Sequence, residues 1–400
     1  MMKVTTPYDV AIVGAGIAGS TTALLYAQKG LRVALIEKQR EKGAYKRLCT
    51  HFLQPSAVPV LKKLGLYRDV LETGGVHSTM RLRTRWGAFN VPHPGAERGI
   101  NIRRALLDPL LRERAARHPL IDLYAGYKVT RLLTEKQEVI GFTMQDDKAE
   151  PQDIHAKLTV AADGRHSSIA KLAGVPTVTQ ANERFSYYAY YRHLPRYPDN
   201  NTQVWLVGEG QAYVAAFPQN NDLTLVSCYV PEKQFHEWQG QAEARYQQFV
   251  ADLGNGPPLD EGERVGELMG MRKAPSVYRR PTLPGLALVG DAALAIDPLA
   301  GIGCSWAMIS ATQLVNSTHR ALHRHPTEAP VAGTALARAL QGYRLRHNLY
   351  FWPQFWLLSR FSRAKRYHPI TRGALLSAVK LFGGVFDRQR GAVLPETPPL

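Results

Sequence analysis

Residues 8–19 read YDVAIVGAGIAG, and this stretch, from Tyr8 through Gly14, Gly16 and Gly19, decides the fold. Tyr8–Val13 has the pattern of a strand buried on both faces, and the residues that follow Gly19, STTALLYAQKG, read as a helix closed by Gly30. The glycines differ in what they permit. Gly14 allows a tight turn, Gly16, next to Ala15, lets backbone approach a pyrophosphate, and Gly19 lets the helix pack closely on the strand. Phosphates then sit at a helix N-terminus, where free N–H groups and the helix dipole favour negative charge. A second apolar run, LRVALIE, ends on Glu37, 18 residues beyond Gly19, near the position at which an acid bonds ribose hydroxyls. A lone GxGxxG says little, whereas strand, glycines, helix, strand and acid in this order predict a dinucleotide site. An acid at position 37 repels a 2′-phosphate, so the expected dinucleotide is FAD or NAD rather than NADP, with the choice between the two still open.

The chain has 400 residues, 45% of them hydrophobic and 21% charged, enough for a large core and for two or three domains. The lead MMKVTTP carries neither a charged n-region nor a cleavage site, which argues for a cytoplasmic protein. Cys49, Cys228 and Cys304 contain no CxxC pair, so neither a disulfide framework nor a metal site is expected. The net charge of +17 fits an acidic partner or simply a basic surface. No zinc finger, RNA-binding aromatic signature or basic helix is present, which argues against nucleic acid.

Two later elements choose between the cofactors. Residues 158–165, LTVAADGR, form an apolar run ending on Asp163-Gly164, and residues 286–291, LALVGD, form another ending on Gly290-Asp291. A strand ending this way puts a carboxylate at the carboxyl edge of a sheet, where open α/β folds bind ligands. After the second come Pro298, Gly301, Ile302 and Gly303, a turn that can pass under a flat ligand, and then the helical run CSWAMISATQLVNS.

These three motifs, in this order, resemble the flavoprotein aromatic hydroxylase superfamily of the p-hydroxybenzoate hydroxylase type, with features of geranylgeranyl reductases, over about residues 5 to 320. The resemblance implies an α/β fold (α+β overall): a Rossmann-like FAD-binding domain built from 1–75, 98–180 and 280–325, and a substrate-binding antiparallel β-sheet domain inserted as 76–97 and 181–279. A C-terminal helical segment, 326–400, completes it as a lid or interface. It implies that Asp291 binds the ribityl chain and that the helix opening near Gly303 points its dipole at the flavin, with Pro298 and the Gly301–Gly303 turn beside the ring. Asp163-Gly164 would serve FAD and NAD(P)H, Arg47 would reach the pyrophosphate, and the backbone of Val129 would meet adenine. Arg104 would open the helix between the first two motifs, with Arg103 as the competing assignment. Two departures separate this chain from the phenolic-acid hydroxylases: Leu294 replaces the histidine of GDAAH, and Ser305 replaces an asparagine.

The middle of the chain, FSYYAYYRHL, TQVWLVGEGQAYVAAFP and NDLTLVSCYV, reads as three strands. Alternation puts Tyr188 and Tyr190 on one face and Tyr187 and Tyr191 on the other, and either set, with Tyr213 and Phe217, lines a substrate pocket or fills a sheet core. His51, in RLCTHFLQP beside the expected flavin, is a candidate to orient substrate or relay a proton, with a structural role as the alternative. Cys304 reads as a packing residue. The aromatic run LYFWPQFWLL, 349–358, and the arginines beyond it suit a lid or an anionic membrane surface; Pro353 and Gly373 as helix breakers favour the lid.

The expected activity is that of a monooxygenase, in which NAD(P)H reduces the flavin, O2 forms a C4a-hydroperoxide, and an aromatic or heterocyclic specialised metabolite is oxygenated. Flavin-borne chemistry of this kind needs no protein nucleophile. The alternatives are a double-bond reductase of the geranylgeranyl-reductase type, a flavin-dependent halogenase, for which the WxWxIP motif is missing, and a non-enzymatic FAD-binding scaffold. A substrate tethered to an acidic carrier protein would also suit the basic surface.

Overall fold

The computed structural model describes residues 8–84, 87–90, 98–146, 150–208, 211–298, 301–323 and 329–363. Its centre is a sheet in which Leu286–Leu288, Gln152–Ala161, Tyr8–Val13, Val33–Glu37 and Ile121–Ala125 lie side by side in parallel. The first strand shows why the run reads as continuously apolar. Val10 and Ile12 face one core with the helix Ile17–Ala27, while Ala11 and Val13 face a second core with Phe142 and Ile169. Both faces are covered from Val10 onward, so no position there can be polar at low cost. An antiparallel extension, Lys128–Glu135 and Glu138–Gln145, adds to the strand Gln152–Ala161.

The second sheet has seven strands, in the order Glu263–Met271, Arg184–Arg192, Leu223–Pro231, Ala212–Pro218, Thr202–Val207, Met80–Thr84 and Gly87–Asn90. Strands from two distant parts of the chain therefore share it. Where three strands were expected between 185 and 230 there are four. Thr202–Val207 and Ala212–Pro218 pair with each other as a hairpin, because Gly208, at φ 54°, turns the chain where the apolar run is interrupted.

One expectation fails at the C-terminus. Pro353 does not break the helix: a single 33-residue helix, Ala329–Phe361, runs through it. The proline ring forfeits the bond to the Leu349 carbonyl, but Leu349 is on the exposed side, 65% accessible, where water can take that carbonyl. Tyr350, Phe351 and Phe355 on the other side are buried against Tyr278, Leu294 and Trp306, and this packing holds the helix together across the proline. Leu294 thus forms part of the seat for the C-terminal helix. Gly373 and the basic positions beyond Arg363 lie outside the described residues.

Candidate functional site

The helix Ile17–Ala27 begins at Gly16 in extended conformation, and no side chain caps it, so its first N–H groups are available to a ligand. A Cβ on Gly14 would lie 2.5 Å from the Ala162 carbonyl oxygen, and one on Gly19 would lie 1.7 Å from the Gly14 carbonyl oxygen. A Cβ on Gly16 or Gly164 would meet nothing within 4 Å. The chain is therefore closely packed beneath the turn and open above it, the shape of a phosphate cradle. Glu37 is buried, and its carboxylate accepts hydrogen bonds from the N–H groups of Ala15 (2.9 Å) and Gln39 (2.9 Å), which ties the acid to the glycine turn.

The later motifs close on the same place. Asp163 follows directly on Ala162; its Oδ2 accepts from the Ile169 N–H and Ser168 hydroxyl, while its Oδ1 is buried with no hydrogen-bond partner among the described residues. A buried carboxylate oxygen left this way marks a place for a donor that the chain does not supply. A Cβ on Gly290, at φ 58°, would lie 2.7 Å from the Ala18 Cβ, so the Gly290-Asp291 turn sits against the first helix. Asp291 accepts from Lys46 Nζ at 2.9 Å. Burial alone would raise the Asp291 carboxyl, but Lys46 and Arg165 outweigh it and hold it below the ordinary range. The uncapped helix Gly303–Leu322 starts beside Asp291, and Gly301 packs on Thr50 and Phe52.

Lys46 makes the contact with Asp291; Arg47, which the resemblance aims at a pyrophosphate, is exposed. Val129, like Tyr124 and Tyr127, is partly buried against the second core, and Pro298 is partly buried. Arg104 and Arg103 separate cleanly. Arg103 Nε donates to Asn220 in the loop between Ala212–Pro218 and Leu223–Pro231, while Arg104 is buried and paired through Nε and a terminal nitrogen with both Asp108 oxygens, at 2.6 and 2.8 Å.

The segment 49–52 forms the wall next to this turn. The Cys49 and Cys304 sulfurs are 3.7 Å apart, with the Arg104 guanidinium 4.0 Å from the latter. Their mutual hydrogen bond pulls the Cys49 thiol down and pushes Cys304 up. Cys304 is buried in the main core, as a packing residue is, and it also faces Cys49. The hydroxyl of Ser305 accepts from the Gln54 N–H and so anchors the wall to the helix.

His51 has φ 59°, a conformation uncommon for a side-chain-bearing residue, and three bonds hold it there. Its carbonyl accepts from Ile102, its Nδ1 accepts from the Arg104 N–H at 2.9 Å, and its Nε2 is 2.5 Å from the Tyr190 hydroxyl. Since Nδ1 accepts, the proton of the neutral ring resides on Nε2, which donates to Tyr190 and leaves the Tyr190 O–H free to donate elsewhere. Burial lowers His51 to about 4 and His347 to about 3. Both stay neutral when folded, whereas the unfolded chain protonates them near 6.5, so stability is retained at neutral pH and lost as pH falls below that value. At about pH 5 the two together should cost roughly 4 kcal/mol. Urea titrations across that range should show the loss, and H347N should remove about half of it; a flat profile would contradict the neutral assignment.

Of the substrate candidates, Tyr188, Tyr213 and Phe217 are all buried, in one cluster with Phe52 and Tyr229. Tyr213 stacks on Tyr229 at 4.0 Å and donates to Asp297, which pairs with buried Arg184 at 3.5 Å. Tyr190, half-buried, stands at the rim of that cluster. The opposite face, with Tyr187 and Tyr191, packs under Trp238 and Tyr246 as core. The Arg184–Asp297 pair was not visible in sequence, because its members are more than a hundred residues apart. Among the described residues no group of three metal-ligating side chains occurs, and no helix is long and apolar enough to cross a membrane.

A parallel sheet carrying a glycine cradle, with a second, seven-stranded sheet beside it, is the fold of a dinucleotide-binding protein. The model of the FAD binding domain family matches residues 7–325, and the chain belongs to that family of FAD-dependent oxidoreductases. It is 27% identical over 321 residues to digeranylgeranylglycerophospholipid reductase of Thermoplasma acidophilum, covering 79% of this chain and 78% of the relative. It is 28% identical over 315 residues to 6-methylpretetramide 4-monooxygenase of Streptomyces rimosus, covering 75% and 72%. The structure of the myxobacterial chondrochloren halogenase superposes with a TM-score of 0.76 at 21% identity, over 97% of this chain and 92% of that one.

Proposed function

We propose that the protein is an FAD-dependent monooxygenase that takes electrons from NAD(P)H and uses O2 to oxygenate a small aromatic or heterocyclic compound. The observation that carries this reading is the chain Arg104 N–H to His51 to Tyr190, which presents one directed phenol donor at the rim of an aromatic wall. Flat aromatic side chains offer stacking surface, and a single fixed donor orients a flat substrate by an oxygen or nitrogen atom. The glycine cradle, Glu37 and Asp291 would hold FAD, whose ring supplies the redox chemistry when bound. The chain's own contribution is binding, orientation and exclusion of water by the packed face around Tyr188 and Phe217.

A double-bond reductase is the second reading, supported by the similarity to the Thermoplasma acidophilum reductase. Oxygen consumption and product mass separate the two. With NAD(P)H and substrate present, the monooxygenase reading expects about one O2 taken up per product and an added oxygen atom. Full turnover without oxygen, with a product heavier by two hydrogens, would overturn it in favour of the reductase.

A further inference from the structure

We infer that the outer face of the C-terminal helix Ala329–Phe361 docks on the surface of an anionic lipid bilayer. Residues 343–358 of this helix are apolar on two opposite sides. The inner side, with Tyr343, Tyr350, Phe351 and Phe355, is buried. The outer side carries Leu345 (61% accessible), Leu349 (65%), Trp352 (41%) and Trp356 (47%), at the i, i+4, i+7, i+11 spacing of a single stripe. Arg346 and Asn348 are exposed beside the stripe, and four large apolar side chains aligned on one exposed side are more than scattered surface residues.

The stripe continues into the body of the protein. Val178, itself 41% accessible, and Pro281 border a cavity of about 600 Å³ whose other walls include Tyr278, Leu349 and Trp352. The cavity is open to the apolar face of the helix and can take the end of an acyl chain. Tryptophan is suited to such a boundary, since its ring is apolar and its N–H seeks polar headgroups.

Charge selects the occupant. From residue 329 to residue 386 the sequence contains no Asp or Glu. Arg338, one helical repeat before Leu345, and Arg360, whose guanidinium lies 3.5 Å over the Trp356 ring, flank the stripe at its two ends, and Arg280 is part of the cavity wall. A second copy of the chain placed symmetrically would set arginines against arginines. The remaining C-terminal residues, with Lys365, Arg366, Arg372 and Lys380, are basic too. Anionic headgroups complement this face, and the net charge of +17 adds long-range attraction. The stripe also lies one packing layer from the N-terminal end of the Gly303 helix, since Phe351 contacts Trp306 with ring centroids 5.3 Å apart.

The test is co-sedimentation of the full-length, flavin-loaded protein with vesicles of phosphatidylcholine alone or mixed with phosphatidylglycerol. Binding is expected to the mixed vesicles only and to weaken as salt is raised. The doublet L349S/W356S, which alters two exposed side chains, should lower binding at least about tenfold while flavin content and thermal midpoint stay unchanged. R338E/R360E should lower it too and reduce the salt dependence. Full binding by the L349S/W356S protein would place the contact elsewhere and overturn the inference. So would a wild-type dimer in solution that ignores vesicles and is dissociated by L349S/W356S, because the face would then belong to a second copy.

Discussion

Gly19→Ala is expected to yield protein that retains no flavin, with a binding loss of at least about 100-fold and a thermal midpoint well below that of the parent. A Cβ at this position falls 1.7 Å from the Gly14 carbonyl oxygen and 3.3 Å from the Ala162 Cβ, so helix and strand must move apart by more than an ångström. The atoms closest to it are backbone, which no side-chain rotation can relieve, and the cost should reach the upper end of the overpacking range, about 3 kcal/mol. That movement would displace the uncapped helix N-terminus and the Asp163 edge together. Gly16→Ala is the informative partner. Nothing lies within 4 Å of its added methyl, so its thermal midpoint should be unchanged while its FAD affinity falls. Flavin absorbance per protein and a melting curve read both effects. A Gly19→Ala protein that purifies yellow with an unchanged midpoint would contradict the close strand–helix approach.

Asp108→Ala should destabilise the fold by about 3 to 5 kcal/mol. Asp108 is the partner of Arg104, the two side chains being 3% and 8% accessible, and it also accepts from the Lys46 N–H at 3.1 Å. Removing it leaves a buried guanidinium beside Cys304 and releases the segment that carries Lys46 to Asp291. Burial, the largest effect, opposes the charged arginine, and Asp108 together with the two neighbouring cysteines more than offsets it; a guanidinium is ionised in its own right, so taking Asp108 away strands a buried charge. The double change R104L/D108L should recover part of the loss, since an apolar pair in a buried site avoids the desolvation penalty. Urea titration compares the three proteins; equal stability of Asp108→Ala and the parent would show that the pair is not needed.

The nucleotide half of the fold was legible from Tyr8–Glu37 because its signals are local: a buried strand is continuously apolar, and a turn beneath a ligand needs glycine. Asp163-Gly164 and Gly290-Asp291 were legible for the same reason. The structure shows that the strands leading to them lie side by side in parallel, which is a matter of sheet order and not of any one segment. The seven-stranded sheet was legible only as a set of strands. Its order, with Arg184–Arg192 beside Leu223–Pro231 and Thr202–Val207 parallel to Met80–Thr84, follows from pairings too distant for local pattern to specify.

The sharpest divide lies at Pro353. Proline forbids one backbone hydrogen bond wherever it stands, so local rules end the helix there. Packing of Phe351 and Phe355 against Tyr278 and Trp306 outweighs that loss in the folded chain, and an unbroken helix results. Local sequence thus determined a dinucleotide cradle and the residue types around it. Tertiary structure alone decided that Lys46 meets Asp291, that Cys49 faces Cys304, and that Arg104 N–H sets the His51 tautomer presented to Tyr190. Each of these depends on the direction of a side chain across a gap in sequence, and only the closed packing of the two sheets supplies that direction.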